Sequence, residues 1–177
     1  CTSIAQDTRA GAFRDTWYYS VGESIGNSAS SSSGAFYLGN GIYKSTDNGE
    51  TWSRLAASNT GLLETFDNRA DTILKVVVDP TNGNVYAAII DRIIRSTTGG
   101  TTWEIAHESG SGSTSTTMIS DIVVTSTGLF YASFSGLSNT GPTNDMPGVW
   151  KSSTGALGSW TKIAGDGAAT NPPGWNA

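Results

Sequence analysis

Eight charged or titratable residues, Glu23, Glu64, Asp67, Arg69, Asp71, His107, Glu108 and Asp145, fall in long stretches between strand-like segments, with Phe36, Tyr37 and Phe66 among them. Two loop carboxylates held close together can cleave a glycosidic bond, one as acid and the other as base or nucleophile, and Glu64 with Asp67 is such a pair in sequence. Spacing along the chain does not establish that the two meet. His107 is the single histidine and no Ser or Cys nucleophile motif accompanies it, so it reads as a solvated loop residue rather than a general base. Cys1 is the single cysteine, which excludes an internal disulfide and, beside one histidine, a His/Cys zinc cluster. No metal and no cofactor is expected.

A second polar set is spaced too regularly to be loop filler. Ser45, Asp47, Gly49, Thr51 and Trp52 close the segment 41–52, which returns at 92–103 with Ser96, Gly100, Thr102 and Trp103, and again at 148–160 with Ser152 and Trp160. The three tryptophans are 51 and 57 residues apart, the scale of a four-stranded propeller blade with loop insertions. Matching strands precede each copy. Ser3–Asp7, Lys75–Asp79 and Asp121–Thr125 read as first strands, and Trp17–Ser20, Val85–Ala88 and Phe130–Ser133 as second strands. Each repeated segment then supplies a third strand, a tight turn and a fourth strand ending at Leu55, Ile105 or Ile163. The expected fold is all-β, a β-propeller of three four-stranded antiparallel blades at about 1–56, 72–107 and 119–164, forming part of a larger propeller.

The pattern Ser-x-Asp-x-Gly-x-Thr-Trp resembles the Asp-box, or BNR repeat, found in the propellers of sialidases, sortilin-like receptors and many secreted bacterial proteins. The first copy matches in full. Thr98 replaces the Asp in the second; Thr154 and Ala156 replace Asp and Gly in the third, with one residue inserted before Trp160. Physically, Ser45 and Asp47 can brace turn amides, Gly49 permits positive φ, and Trp52 can pack beneath the turn, so these residues read as structural. A hydroxyl can brace a turn in place of a carboxylate but cannot replace a catalytic one. A sialidase would be expected to carry an Arg triad, a Tyr/Glu pair, an Asp and an early Phe/Tyr-Arg-Ile-Pro motif. Phe13-Arg14-Asp15-Thr16 lacks the Ile-Pro, and Arg14 falls on the face of the repeated turns. The stretch 17–28 is also similar to large secreted surface propellers of Bacteroidota, cargo of the type IX secretion route.

Charged residues make up only 14% of the chain, the net charge is -5, and no basic cluster occurs, which argues against nucleic acid or an anionic membrane as partner. The apolar runs are far shorter than the ~20 residues of a membrane helix. Turns after strands one and three share one face; the long connections, about 23–40, 56–71, 106–118 and 135–147, open on the other, where a protein or glycan ligand is expected. Ser28–Gly34 and Ser109–Thr117 read as solvated low-complexity loops. Three blades cannot close a ring of about four to eight and leave the first and last with uncovered faces, expected to carry Trp17, Tyr19, Phe130 and Trp150, so the expected partners are the remaining blades of a parent chain or a larger assembly. Cys1 accordingly reads as an internal residue of a longer chain rather than a lipid-modified terminus. The resemblance implies a secreted or cell-surface, non-catalytic binding or adhesion propeller; the other reading is part of a secreted glycan-acting hydrolase.

Overall fold

Short runs of β-branched and aromatic residues between Gly-, Asn- and Asp-rich turns bury their apolar side chains by stacking sheets. The computed structural model, which describes residues 1–26, 35–62, 64–65, 67–108, 119–135 and 147–165, shows that arrangement. Blade 1 is the antiparallel sheet β1 (Ser3–Gln6), β2 (Trp17–Ser20), β5 (Ile42–Ser45) and β6 (Ser53–Leu55). A two-stranded hairpin of β3 (Glu23–Gly26) and β4 (Ala35–Tyr37) interrupts it. Blade 2 is β7 (Ile73–Val78), β8 (Val85–Ile89), β9 (Arg92–Ser96) and β10 (Glu104–Glu108). Blade 3 is β11 (Ile119–Val124), β12 (Phe130–Ser135), β13 (Gly148–Ser152) and β14 (Thr161–Ala164). These are blades of a β-propeller, with β7 lying against both β1 and β11.

Alternation along the strands gives each blade two packing faces. The face turned toward the preceding blade carries Val76, Val85, Ala87, Ile94 and Trp103 in blade 2, and Ile122, Phe130, Ala132, Trp150 and Trp160 in blade 3. The face toward the following blade carries Tyr18 and Ile42 in blade 1, and Tyr86, Ala88, Ile93 and Ala106 in blade 2. Fully burying a side chain such as Val85, Ile93, Ile122 or Phe130 contributes about 1.5–3 kcal/mol, and an alanine less. Phe130 and Trp150, expected on an uncovered face, therefore lie in the junction between blades 2 and 3, because the phase of the alternation turns them toward blade 2. Among the described residues, no blade lies against the face of Ile4, Trp17, Tyr19, Tyr43 and Trp52 on blade 1, as expected for Trp17 and Tyr19, or against that of Val123, Tyr131 and Ile163 on blade 3.

The first strands stop one residue earlier than the sequence suggests. Asp7, Asp79 and Thr125 leave the ladder because each side chain accepts a backbone amide of the turn that follows, from Arg9, Thr81 and Leu129 respectively. The connection 23–40 is not a plain loop, since it contains the β3–β4 hairpin. His107 is not a loop residue either: β10 runs to Glu108, past a bulge between Ile105 and His107, and His107 is buried. The low-complexity stretches 28–34 and 109–117, Phe66, Asp145 and the tail beyond residue 165 lie outside the described residues.

Candidate functional site

The three repeated turns join strands three and four of their blades, and in each the serine Oγ accepts the amide of a left-handed glycine. Ser45 Oγ accepts the Gly49 amide at 2.9 Å and donates to Asp47 Oδ1 at 2.6 Å. Asp47 Oδ1 in turn accepts the Thr51 amide at 2.9 Å, and Oδ2 accepts the Thr51 hydroxyl. The hydrogen bonds from Ser45 and then Thr51 hold the Asp47 carboxyl down at about 2. Gly49 sits at φ +92, a conformation that a Cβ disfavours. In blade 2 Ser96 Oγ accepts the Gly100 amide at 2.8 Å, and Thr98 Oγ1 takes the Asp role by accepting the Thr102 amide at 2.9 Å. In blade 3 Ser152 Oγ accepts the Gly155 amide at 2.8 Å and pairs with Ser159 Oγ at 2.6 Å.

Trp52 and Trp103 each donate their indole N–H to the carbonyl three residues back, Gly49 at 3.0 Å and Gly100 at 3.1 Å. Trp160 differs. The residue inserted before it breaks that bond, and its indole donates instead to the Ala106 carbonyl of blade 2 at 2.9 Å. All three rings remain on the side of the preceding blade, but Trp160 is buried whereas Trp52 and Trp103 are half-buried. Asn48 donates its backbone amide to the Asp15 carbonyl at 2.9 Å, which puts the short turn bearing Arg14 on this same face. The carboxylate of Asp47 is thus consumed by its own turn.

On the opposite face, the segment 56–71 and the β8–β9 turn enclose a cleft of about 340 Å³. Ile89, Ile94, Ile105, Ala57 and Ala70 form its apolar wall; Ser58, Thr60, Asp67, Asn68, Arg69 and Arg92 supply its polar atoms. Asp71 organises the segment from a buried position. Its Oδ1 accepts Asn59 Nδ2 at 2.7 Å, and its Oδ2 accepts the amides of Asp67 at 3.0 Å and Asn68 at 2.8 Å. Asp67 is itself bound to the Leu62 amide. Arg54 ties the segment to blade 1 through the carbonyls of Asn40 and Asn59.

Asp91 anchors the other wall. It is buried in the two-residue turn between β8 and β9, at φ +62, and accepts Arg69 Nε at 3.0 Å and Arg92 Nε at 2.9 Å. Arg92 also pairs with Glu108 at 3.3 Å. The sequence reading passed over Asp91 and Arg92, although Asp-Arg directly after the apolar run Val85–Ile90 is a signal: Asp tolerates left-handed backbone at a hairpin turn. Of the loop residues singled out, Asp67, Arg69, Asp71 and Glu108 come together around this cleft. Glu64, Glu23 and Tyr37 are exposed and line no part of it. His107 lies elsewhere, in the junction of blades 2 and 3, stacked on Trp160 with a 5.1 Å ring separation and edge-on to Trp150 and Phe134. Burial pushes its imidazole down to about 4, and its Nε2 has no hydrogen-bond partner among the described residues. A neutral imidazole in an aromatic slot serves packing. No group of three or more His, Cys, Asp or Glu among the described residues is placed to hold a metal ion.

No protein-family model matches the chain, and no curated protein matches it. Among solved structures it is similar to the GH74 enzyme of Niastella koreensis, at 23% identity and a TM-score of 0.55, over 94% of this chain and 22% of that one. The chain therefore spans about a fifth of the length of the structure it matches. At that identity the likeness concerns the fold, and the fold it supports is a β-propeller.

Proposed function

We propose that this chain is a non-catalytic binding or adhesion segment of a secreted or cell-surface propeller, and that it contacts a protein or glycan ligand through the cleft between blades 1 and 2. The observation that carries the reading is the use made of the carboxylates around that cleft. Asp71 spends both oxygens on Asn59 and two backbone amides, Asp91 is held by two arginines, Asp67 holds the Leu62 amide, and Glu108 pairs with Arg92. A general acid or base must be placed to exchange a proton with substrate, and carboxylates committed to the scaffold are poor candidates. An aliphatic wall beside amide, hydroxyl and guanidinium groups suits an uncharged, hydroxyl-rich surface such as a sugar ring or a polar peptide loop. The uncovered blade faces fit completion by further blades, in a parent chain or a larger assembly.

The likeness to a GH74 enzyme supports a second reading, part of a secreted glycan-acting hydrolase, which requires a carboxylate pair within reach of one bond. Retention of the chain on a panel of immobilised polysaccharides and glycans, with release of new reducing ends measured in parallel, separates the two. Retention without release, lost in Thr60→Trp at unchanged melting temperature because the indole fills the cleft, is the expected result. Reducing ends that appear with the parent chain and vanish with Glu64→Gln or Asp67→Asn would replace it by the hydrolase.

A further inference from the structure

The β3–β4 hairpin, on the same face as the cleft, is rooted where no side chain fits. A Cβ at Gly22, which sits at φ +96, would come 2.0 Å from the Asp71 carbonyl oxygen, and one at Gly39 would come 2.3 Å from that of Val21. Gly39 donates its amide to the Asp71 carbonyl at 2.8 Å, and Val21 donates to Gly41 at 3.3 Å and accepts from Ile73 at 3.4 Å. From this root β3 leans on β7 of blade 2. An insertion held by backbone bonds at glycines presents its outer residues from a rigid base, the usual setting for a binding element.

Two of those outer residues are Glu23 and Tyr37. They stand directly opposite each other in the β3–β4 ladder, so both side chains leave one face of the hairpin, with Cβ atoms about 5 Å apart. Both are exposed, Tyr37 to 56%. A phenol ring beside a carboxylate matches one side of a pyranose: the ring packs against the sugar's C–H groups, and the carboxylate accepts its hydroxyls.

The hairpin root and the cleft are one piece of structure. Asp71 takes the Gly39 amide on its carbonyl while its carboxylate holds Asn59, Asp67 and Asn68, and Arg54 bridges the Asn40 and Asn59 carbonyls. Tyr37 is two residues from Gly39, and Ala70 of the cleft wall is next to Asp71, which puts their backbones within about 18 Å of each other, a span of a few sugar rings. Each place offers an apolar surface flanked by groups that pair with hydroxyls. A polymer repeating one unit satisfies both with the same chemistry, whereas a peptide needs two different side chains to do so. Arg69 and Arg92 at the cleft are already paired with Asp91 and Glu108, and Glu23 repels anions, so the arrangement suits an uncharged sugar.

Resting on the glycan reading of the cleft, we propose that Tyr37 and Glu23 form a second sugar-contact site, and that the ligand is an uncharged saccharide chain long enough to lie in the cleft and on the hairpin at once. The test is calorimetric titration with cello-, malto-, xylo- and manno-oligosaccharides, each as disaccharide and as hexasaccharide. In at least one series the hexasaccharide is expected to bind on the order of tenfold more tightly than the disaccharide. Tyr37→Ala should remove most of that gain and leave the disaccharide unchanged, Tyr37→Phe should keep it because the ring makes the contact, and Glu23→Gln should lose part of it. Both side chains are exposed, so each variant should melt as the parent does; if Tyr37→Ala does not, Glu23→Gln carries the comparison. A gain that survives both Tyr37→Ala and Glu23→Gln, or a disaccharide bound as tightly as its hexasaccharide, would overturn the second site and leave the cleft reading standing. Binding in no series, with retention on the polysaccharide panel absent as well, would overturn the glycan reading of the cleft and this site with it. Hexalysine bound more tightly than every oligosaccharide, and released by high salt, would replace the sugar at Glu23 by a basic peptide.

Discussion

The junction of blades 1 and 2 and that of blades 2 and 3 share strand positions but not chemistry. The first is aliphatic and laced with polar contacts: Val76, Val85, Ala87, Ile94, Ile42 and Tyr18 pack together, while Thr2 and Ser3 bond the carbonyls of Ile73 and Val76, and Arg9 bonds that of Asn82. The second is aromatic. Tyr86, Phe130, Phe134, Trp150 and Trp160 gather around the neutral imidazole of His107, and Trp160 supplies a cross-blade hydrogen bond. One packing position thus tolerates Ile94 or Trp150, provided the facing residues change in step; volume and pattern specify a blade more than identity does. The aromatic junction carries a consequence the aliphatic one lacks, because its centre is titratable.

The largest contrast is expected between two equivalent tryptophans. Trp160→Ala removes a buried ring and orphans the Ala106 carbonyl, so urea unfolding should show a loss of about 3–5 kcal/mol. Trp103→Ala, at a half-buried ring bonded within its own turn, should lose clearly less. Equal losses would mean that the inserted residue before Trp160 has no energetic consequence.

Acid should open the contrast further. His107 is held at about 4 in the fold against an ordinary value of 6.5, so the unfolded chain binds the proton more tightly. The contribution of the neutral imidazole is complete above about pH 6.5, falls as the pH drops from there to about 4, and is level below; at about 1.36 kcal/mol per unit this removes up to about 3 kcal/mol. Stability measured from pH 7 to pH 4 should fall by that amount in the parent chain and markedly less in His107→Phe. A pH response unchanged by His107→Phe would place the titrating group elsewhere.

The smallest effect compares two left-handed glycines of the repeated turns: Gly99, whose carbonyl accepts Lys44 Nζ at 3.2 Å, and Gly155, which packs on the Tyr86 hydroxyl. Gly99→Ala and Gly155→Ala each put a Cβ on left-handed backbone at a cost of about 1–2 kcal/mol. Gly155→Ala must also displace the Tyr86 hydroxyl, whereas Gly99→Ala meets only a flexible lysine tip. Thermal melts should rank Gly155→Ala as the less stable. The reverse order would show that the Lys44 clasp, not the Tyr86 contact, is the tighter joint.

The architecture was legible in the sequence because its signals are local. Ser, Gly and Trp recurring along the repeats specify a turn whose hydrogen bonds close within seven residues in blades 1 and 2, and the short β-branched and aromatic runs around Val85–Tyr86 and Phe130–Tyr131 specify strands. Nothing local could tell which face of a blade meets which neighbour. That depended on the phase in which three sheets stack, and it moved Phe130 and Trp150 from an expected surface to the centre of a junction. His107 shows the same limit, since a polar residue at a strand end in a Gly- and Ser-rich context reads as solvated until Phe134, Trp150 and Trp160, up to 53 residues away, close over it. The cleft is the clearest case: the sequence determined that 56–71 would be a long connection with acidic residues, but only the tertiary structure decided their use. Backbone amides and arginines took the carboxylates of Asp71 and Asp91 as partners away from water, and Asp67 closed its own exposed turn on the Leu62 amide.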